Sequence, residues 1–155
     1  MYSNKIICDI LKYINDNINS KISIDEISNI FMYDKAYLMR LFKKEVGFTM
    51  IQYVNNIRIY NSIKQLKNNK NLLFVALSNG FNSLEYFSET FKKITNVNPI
   101  TFRKFLNLDR NITLDEFSEC TMTMSNLSIL INKIDKYIKN IKPTHNYKKS
   151  LTIFK

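Results

Sequence analysis

The tripeptide Phe-Lys-Lys occurs twice, at 42–44 and at 91–93, and each copy ends a short helical pattern that follows a tight turn. In the first copy, YDKAYLMRLFKKEVG (33–47), Asp34 is placed to cap a helix by accepting a backbone N–H of its first turn. Leu38, Leu41 and Phe42 fall on one face, and Lys35, Met39, Arg40, Lys43 and Lys44 spread over the rest. Gly47 stands where a helix closes in a left-handed residue. Upstream, Ser23 and Glu26 have the spacing of a capping box that opens a second helix carrying Ile24, Ile27 and Ile30. Only Phe31 to Tyr33 separate the two. Helix, tight turn, basic-fronted helix is the arrangement of a helix-turn-helix, whose second helix enters the DNA major groove. A hairpin inside any helical bundle has the same pattern, so the first copy alone leaves both readings open.

The second copy narrows the choice. Leu73, Val75, Ala76 and Leu77 form a short apolar helix, Asn79-Gly80-Phe81 a turn, and Asn82 or Ser83 caps a helix with Leu84, Tyr86, Phe87, Phe91 and Ile94. Between the copies, Met50 to Lys67 reads as a long helix with Met50, Val54, Ile59, Ile63 and Leu66 inward. At 1.5 Å per residue it spans about 27 Å. Successive major-groove faces on one side of B-DNA lie about 34 Å apart, so two reading helices joined by such a rod suit adjacent grooves. An independent bundle has no reason to repeat the motif at that separation.

The remaining pattern is also helical. The chain has two glycines and two prolines, and no strand alternation. Asn4 to Asn17 carries the stripe Ile6, Ile7, Ile10, Leu11 and Ile14, and Asn98-Pro99 has the cap-then-proline form of a helix start. The class is all-α.

Charge and residue types bound the function. A formal net charge of +10 favours an anionic partner, nucleic acid or a membrane surface. The excess is distributed along the chain, with 15 basic and 8 acidic residues in 1–105, rather than held in a basic tail. Cys8 and Cys120 have no metal-ligand spacing, His145 is the sole histidine, and no run is long enough to span a membrane. These features favour a reducing, cytoplasmic setting and disfavour an enzyme: no nucleotide loop, metal cluster or Cys–His pair is present.

Residues 20–105 resemble the DNA-binding domain of the AraC/XylS family of bacterial transcription regulators. The resemblance rests on YLMRLFKKEVGFTMIQYV (37–54), Arg58-Ile59 and NGFNSLEYFSETFKKITNVNPITFRKF (79–105). In overall size the chain is like the short members of the MarA/SoxS type. The resemblance implies two helix-turn-helix subdomains joined by the long helix, over residues 1–105, followed by a helical extension at 106–155. It implies a sequence-specific regulator, an activator rather than a repressor, which binds double-stranded DNA, contacts RNA polymerase and needs no cofactor. The rival is a helical protein-interaction module with only non-specific DNA affinity.

Family base-reading positions match Ala36, Met39 and Arg40 in the first reading helix and Leu84, Glu85, Tyr86, Ser88 and Glu89 in the second. Arg40 is the leading candidate, because a guanidinium grips guanine O6 and N7 bidentately; its alternatives are a phosphate contact or a salt bridge to Glu45. Glu85 either completes an Asn82–Glu85 capping box or accepts from cytosine N4. The position of Glu89 is commonly basic in the family, so the second unit is expected to specify less than the first. Lys35, Lys43, Lys44, Lys92, Lys93 and Arg103 are phosphate-contact candidates, with the helix N-termini near Thr49 and Thr101. Arg58 is either another contact or an internal partner. First-unit turns in the family often have glycine where Met32 stands here; a left-handed Met32 costs on the order of 1 kcal/mol.

In the extension, Thr113 and Glu116 form another capping box, and Thr121 to Ser125 reads as a polar break. Leu127, Ile131, Ile134, Ile138 and Ile141 then follow a two-heptad spacing with Lys133, Lys136 and Lys139 outside. That helix packs back on its own domain, contacts a second copy in a weak dimer through 127–141, or lies on a membrane surface. Pro143 ends the pattern, and His145 to Lys155 reads as a loose tail.

Overall fold

The computed structural model describes residues 5–139. Among them the chain forms helices and no strands. These are α1 (Lys5–Asp16), α2 (Ile24–Phe31), α3 (Lys35–Val46), α4 (Met50–Leu66), α5 (Leu72–Ser78), α6 (Leu84–Thr95), α7 (Pro99–Leu106) and α8 (Leu114–Lys139). They fall into two compact units, one of residues 1–54 and 132–155, the other of 55–131. Both α4 and α8 therefore contribute to both units.

In the first unit, α1 buries Ile7, Cys8, Ile10, Leu11, Tyr13 and Ile14 against Ile27, Ile30 and Phe31 of α2 and Leu38, Phe42 and Val46 of α3. The edge of the Phe42 ring meets Tyr53, whose hydroxyl donates to Asn15 Oδ1 at 3.0 Å. At the start of α2, Ser23 Oγ accepts from Glu26 N–H at 3.4 Å. Burial, with the Glu26 carboxylate, raises the pKa of the Tyr13 phenol. Met32 closes α2 in the left-handed region, φ 60° and ψ 44°, as expected from its place in the turn.

The second unit is organised by phenylalanine. Phe81, Phe87, Phe91, Phe102, Phe105 and Phe117 meet successively, with centroids 5.2 to 5.7 Å apart and rings steeply inclined. Such edge-to-face pairs add about 0.5–1.5 kcal/mol each beyond the burial itself. Around them lie Ile59, Ile63 and Leu66 of α4, Val75 and Ala76 of α5, and Cys120 and Leu127 of α8. Gly80 supplies φ 86° in the turn after α5, a conformation that a Cβ disfavours.

The extension departs from its expected form. The segment from Thr121 to Ser125 is no break: α8 runs through it from Leu114 to Lys139. Thr121 Oγ1 donates to Phe117 O one turn back, and the buried Thr123 hydroxyl donates to Thr95 O. A threonine hydroxyl that finds a carbonyl can stay inside a helix. The capping box at its start is complete, with Glu116 N–H donating to Thr113 Oγ1 and Thr113 N–H to Glu116 Oε1. Leu127 and Ile134 are buried within the chain, and Ile131 is half-buried. Ile141, Pro143 and the segment from His145 to Lys155 lie outside the described residues, as does the side chain of Ile138.

Candidate nucleic-acid interface

The local sequence sets α3 in place. Asp34 caps it, its carboxylate accepting from Tyr37 N–H at 3.0 Å, and Gly47 closes it at φ 90° with its N–H donating to Lys43 O. Leu38, Phe42 and Val46 are driven inward, so Ala36, Met39, Arg40, Lys43 and Lys44 are all exposed. Arg40 makes no ion pair among the described residues; the bridge to Glu45 does not form. Lys35 does, its Nζ lying 3.0 Å from Asp25 Oδ1 at an exposed site. Surface pairs of this kind are worth about 0–1 kcal/mol, so a phosphate can displace the carboxylate. Lys43 and Lys44 occupy the last turn, where cations oppose the negative end of the helix dipole. Beside this front, Tyr33 and Tyr37 stack with centroids 6.0 Å apart and planes inclined by 17°, both rings partly exposed. Sequence reasoning passed over this pair; two tyrosines four positions apart across a helix cap are its signal.

The helix after the second turn, α6, is capped by Ser83 and not by Asn82: Ser83 Oγ accepts from Tyr86 N–H at 3.1 Å. Glu85 is therefore the second helical residue, one position short of where a capping-box partner must sit, and the Asn82–Glu85 box does not form. The five side chains matched by resemblance to base reading separate here. Leu84 is half-buried and packs against the second unit's core. Tyr86 lies against Phe81, and its phenol oxygen accepts from Asn55 Nδ2 at 3.1 Å. Ser88 is half-buried, while Glu85 and Glu89 are exposed, as are Lys92 and Lys93 in the last turn.

Four further candidates have internal partners. Arg103 donates through Nε to Leu66 O at 2.7 Å and through a terminal nitrogen to Lys70 O. Its guanidinium holds the C-terminal end of α4, where carbonyls lack helical partners. Thr49 and Gln52 satisfy one another, Gln52 N–H donating to Thr49 Oγ1 and Thr49 N–H to Gln52 Oε1. Thr101 N–H donates to Asn98 Oδ1. Those amides already have acceptors. Arg58 is buried and lies 5.9 Å from the centroid of the Phe81 ring. Burial lowers its pKa and the nearby Tyr86 phenol opposes that shift, so Arg58 is internal.

The arrangement thus offers a cluster of cationic donors on α3 and a mixed acidic and basic face on α6. Among the described residues no group of histidine, cysteine or carboxylate side chains has the geometry to hold a metal ion, and no helix is long and apolar enough to cross a membrane.

Residues 27–104 match the sequence profile of a helix-turn-helix domain, spanning both turns, α3 and α6. The chain belongs to the AraC/XylS family. The multiple antibiotic resistance protein MarA of Escherichia coli is 35% identical over 95 residues, which are 61% of this chain and 75% of that one. The HTH-type transcriptional activator AarP of Providencia stuartii is 31% identical over 103 residues, 66% and 76% of the two chains. A transcriptional regulator with an AraC-type DNA-binding domain from Chromobacterium violaceum superposes with a TM-score of 0.58 at 25% identity, over 66% of this chain and 91% of that one. As a family member the chain is a sequence-specific DNA-binding transcription regulator.

Proposed function

We propose that the chain activates transcription by reading two adjacent major-groove segments, with α3 supplying the first set of base contacts through Arg40. The exposed guanidinium, outside any ion pair among the described residues and flanked by Ala36 and Met39, is the observation that carries this reading. A guanidinium gripping guanine O6 and N7 contributes about 1–3 kcal/mol of discrimination. Ala36 and Met39 suit apolar contact with thymine methyls. Lys35, Lys43, Lys44, Lys92 and Lys93 hold phosphates and fix the register without reading sequence.

The protein acts in the cytoplasm, performs no chemistry of its own and needs no cofactor. It exerts its effect by contacting RNA polymerase beside the bound site. It binds as a monomer: Leu127 and Ile134, two of the five positions a dimer seam through 127–141 would use, are buried within the chain.

Arg40→Ala tests the reading. Sites are selected from a random duplex pool, and affinities for the winner are measured at two salt concentrations. The substitution is expected to weaken specific binding at least about tenfold, the lower part of the range for one bidentate contact, and to relax preference at one guanine. Unchanged affinity would remove α3 from the reading role.

A further inference from the structure

Position for position, α3 and α6 are built alike. Asp34 and Ser83 cap them, each accepting from the backbone N–H three residues on, at Tyr37 and Tyr86. Leu38 and Phe42 are buried in one, Phe87 and Phe91 in the other. Lys43-Lys44 corresponds to Lys92-Lys93, and left-handed residues close both, Gly47 at φ 90° and Asn96 at φ 66°. With about 100° between successive side chains, the centre of the exposed face carries Ala36, Arg40 and Lys43 on α3 and Glu85, Glu89 and Lys92 on α6. The counterpart of Arg40 is therefore Glu89. A guanidinium only donates hydrogen bonds and a carboxylate only accepts them.

Neither carboxylate is held by a capping box or an ion pair among the described residues, although Glu85 stands in the first turn, where the helix dipole favours an anion. Glu85 is excluded from a capping box by the Ser83 cap, and Glu89 lies in mid-helix, beyond the first turn where the dipole favours anions. No ion pair holds either one among the described residues. Like charges four positions apart on a helix repel, so the pair does not favour the helix. Leu84 is half-buried and the Tyr86 hydroxyl is engaged by Asn55, which leaves the two carboxylates as exposed polar groups of the helix's first two turns.

We propose that α6 is a cytosine reader, in which Glu85 and Glu89 accept hydrogen bonds from cytosine N4 amino groups. In the major groove, guanine and thymine present oxygen acceptors that a carboxylate rejects. Adenine sets its N7 acceptor beside its amino group, and cytosine offers the donor alone. Four helical residues rise about 6 Å and base pairs about 3.4 Å, so the two contacts fall about two steps apart. Lys92 and Lys93 offset the repulsion between the carboxylates and the phosphates. The operator is then asymmetric in chemistry as well as in position: guanine for α3, cytosine for α6. This rests on α6 acting as a recognition helix.

Site selection from a random duplex pool, with the full chain and with its Glu89→Gln and Glu85→Gln variants, tests it. The parent is expected to enrich a guanine-bearing segment and a second segment with cytosine at one or two positions. Changing such a cytosine to adenine should weaken the parent at least about tenfold. Each glutamine variant should exchange one cytosine for adenine, because a carboxamide pairs with adenine N6 and N7, and leave the first segment unchanged. A second segment indifferent to cytosine, or unaltered by both variants, overturns the proposal while an enriched first segment keeps the regulator reading intact. If neither segment is enriched and binding collapses as salt rises, both fail together.

Discussion

Asn55 of α4 donates from its side-chain amide to the phenol oxygen of Tyr86 on α6, 3.1 Å away. The bond ties α6 to α4, through a residue that family resemblance marks as base-reading. With its ring against Phe81 and its hydroxyl occupied, Tyr86 sets the orientation of α6. Tyr86→Phe keeps the ring and removes the acceptor. It is expected to lower stability by about 0.5–1 kcal/mol in urea denaturation. A base contact by the hydroxyl would instead appear as altered preference at one position with stability unchanged.

Arg103 supplies a second separation of roles. Arg103→Ala leaves Leu66 O and Lys70 O without their charged donor. Hydrogen bonds from charged groups contribute about 1.5–3 kcal/mol, and a loss near the lower end is expected because the site is only partly buried. The dependence of DNA affinity on salt should keep its slope. A slope reduced by about one with stability intact would return Arg103 to the phosphate contacts.

Two left-handed residues close the helices of the first unit, one favoured and one strained. At Met32, exposed and at φ 60°, glycine removes the steric cost. Part of the gain is returned as unfolded-state entropy, so Met32→Gly is expected to stabilise by about 0.5–1 kcal/mol. Gly47→Ala should do the reverse by at least a similar amount. A Cβ at Gly47 meets nothing within 4 Å, so its cost comes from the backbone angle alone. Chemical denaturation midpoints of the two variants should move in opposite directions.

Burial raises the thiols of Cys8 and Cys120 from 9.0 to about 11, with Asp9 and Glu45 adding to the first and Glu116 and Glu119 to the second. The unfolded chain releases these protons first. The contribution of each thiol to stability is whole below pH 9 and is lost as pH rises from 9 towards 11. The fall is at most about 1.4 kcal/mol per pH unit for each thiol. Burial likewise lifts the Tyr13 phenol from 10.0 to about 12, helped by Glu26, and extends the decline upward. Unfolding free energies should be flat from pH 7 to 8.5 and then drop, and native-state alkylation at pH 8 should be slow for both cysteines. Rapid alkylation at pH 8 would contradict the burial.

Much of the fold was legible because helices leave local marks. Asp34, Gly47, Asn98-Pro99 and the Thr113–Glu116 box act within four residues of themselves, and each stands where its pattern placed it. Inward positions of α4 were legible for the same reason, with Met50, Val54, Ile59, Ile63 and Leu66 all buried. The repeat of Phe-Lys-Lys, and with it the existence of two like helices after tight turns, needed only the chain itself.

Tertiary structure decided what each candidate side chain is occupied with. Ser83 outcompeted Asn82 as the cap by one position, which released Glu85 from a local task. Arg103 was taken by carbonyls of Leu66 and Lys70, far back in the chain, and Tyr86 by Asn55. Thr123 found Thr95 O and let α8 continue through a polar stretch. A sequence states which groups donate and accept and where helices begin and end, because those depend on near neighbours. Which donor meets which acceptor across tens of residues depends on how the helices pack, and that alone separates Arg40 and Glu89, exposed and outside any ion pair among the described residues, from the residues held inside.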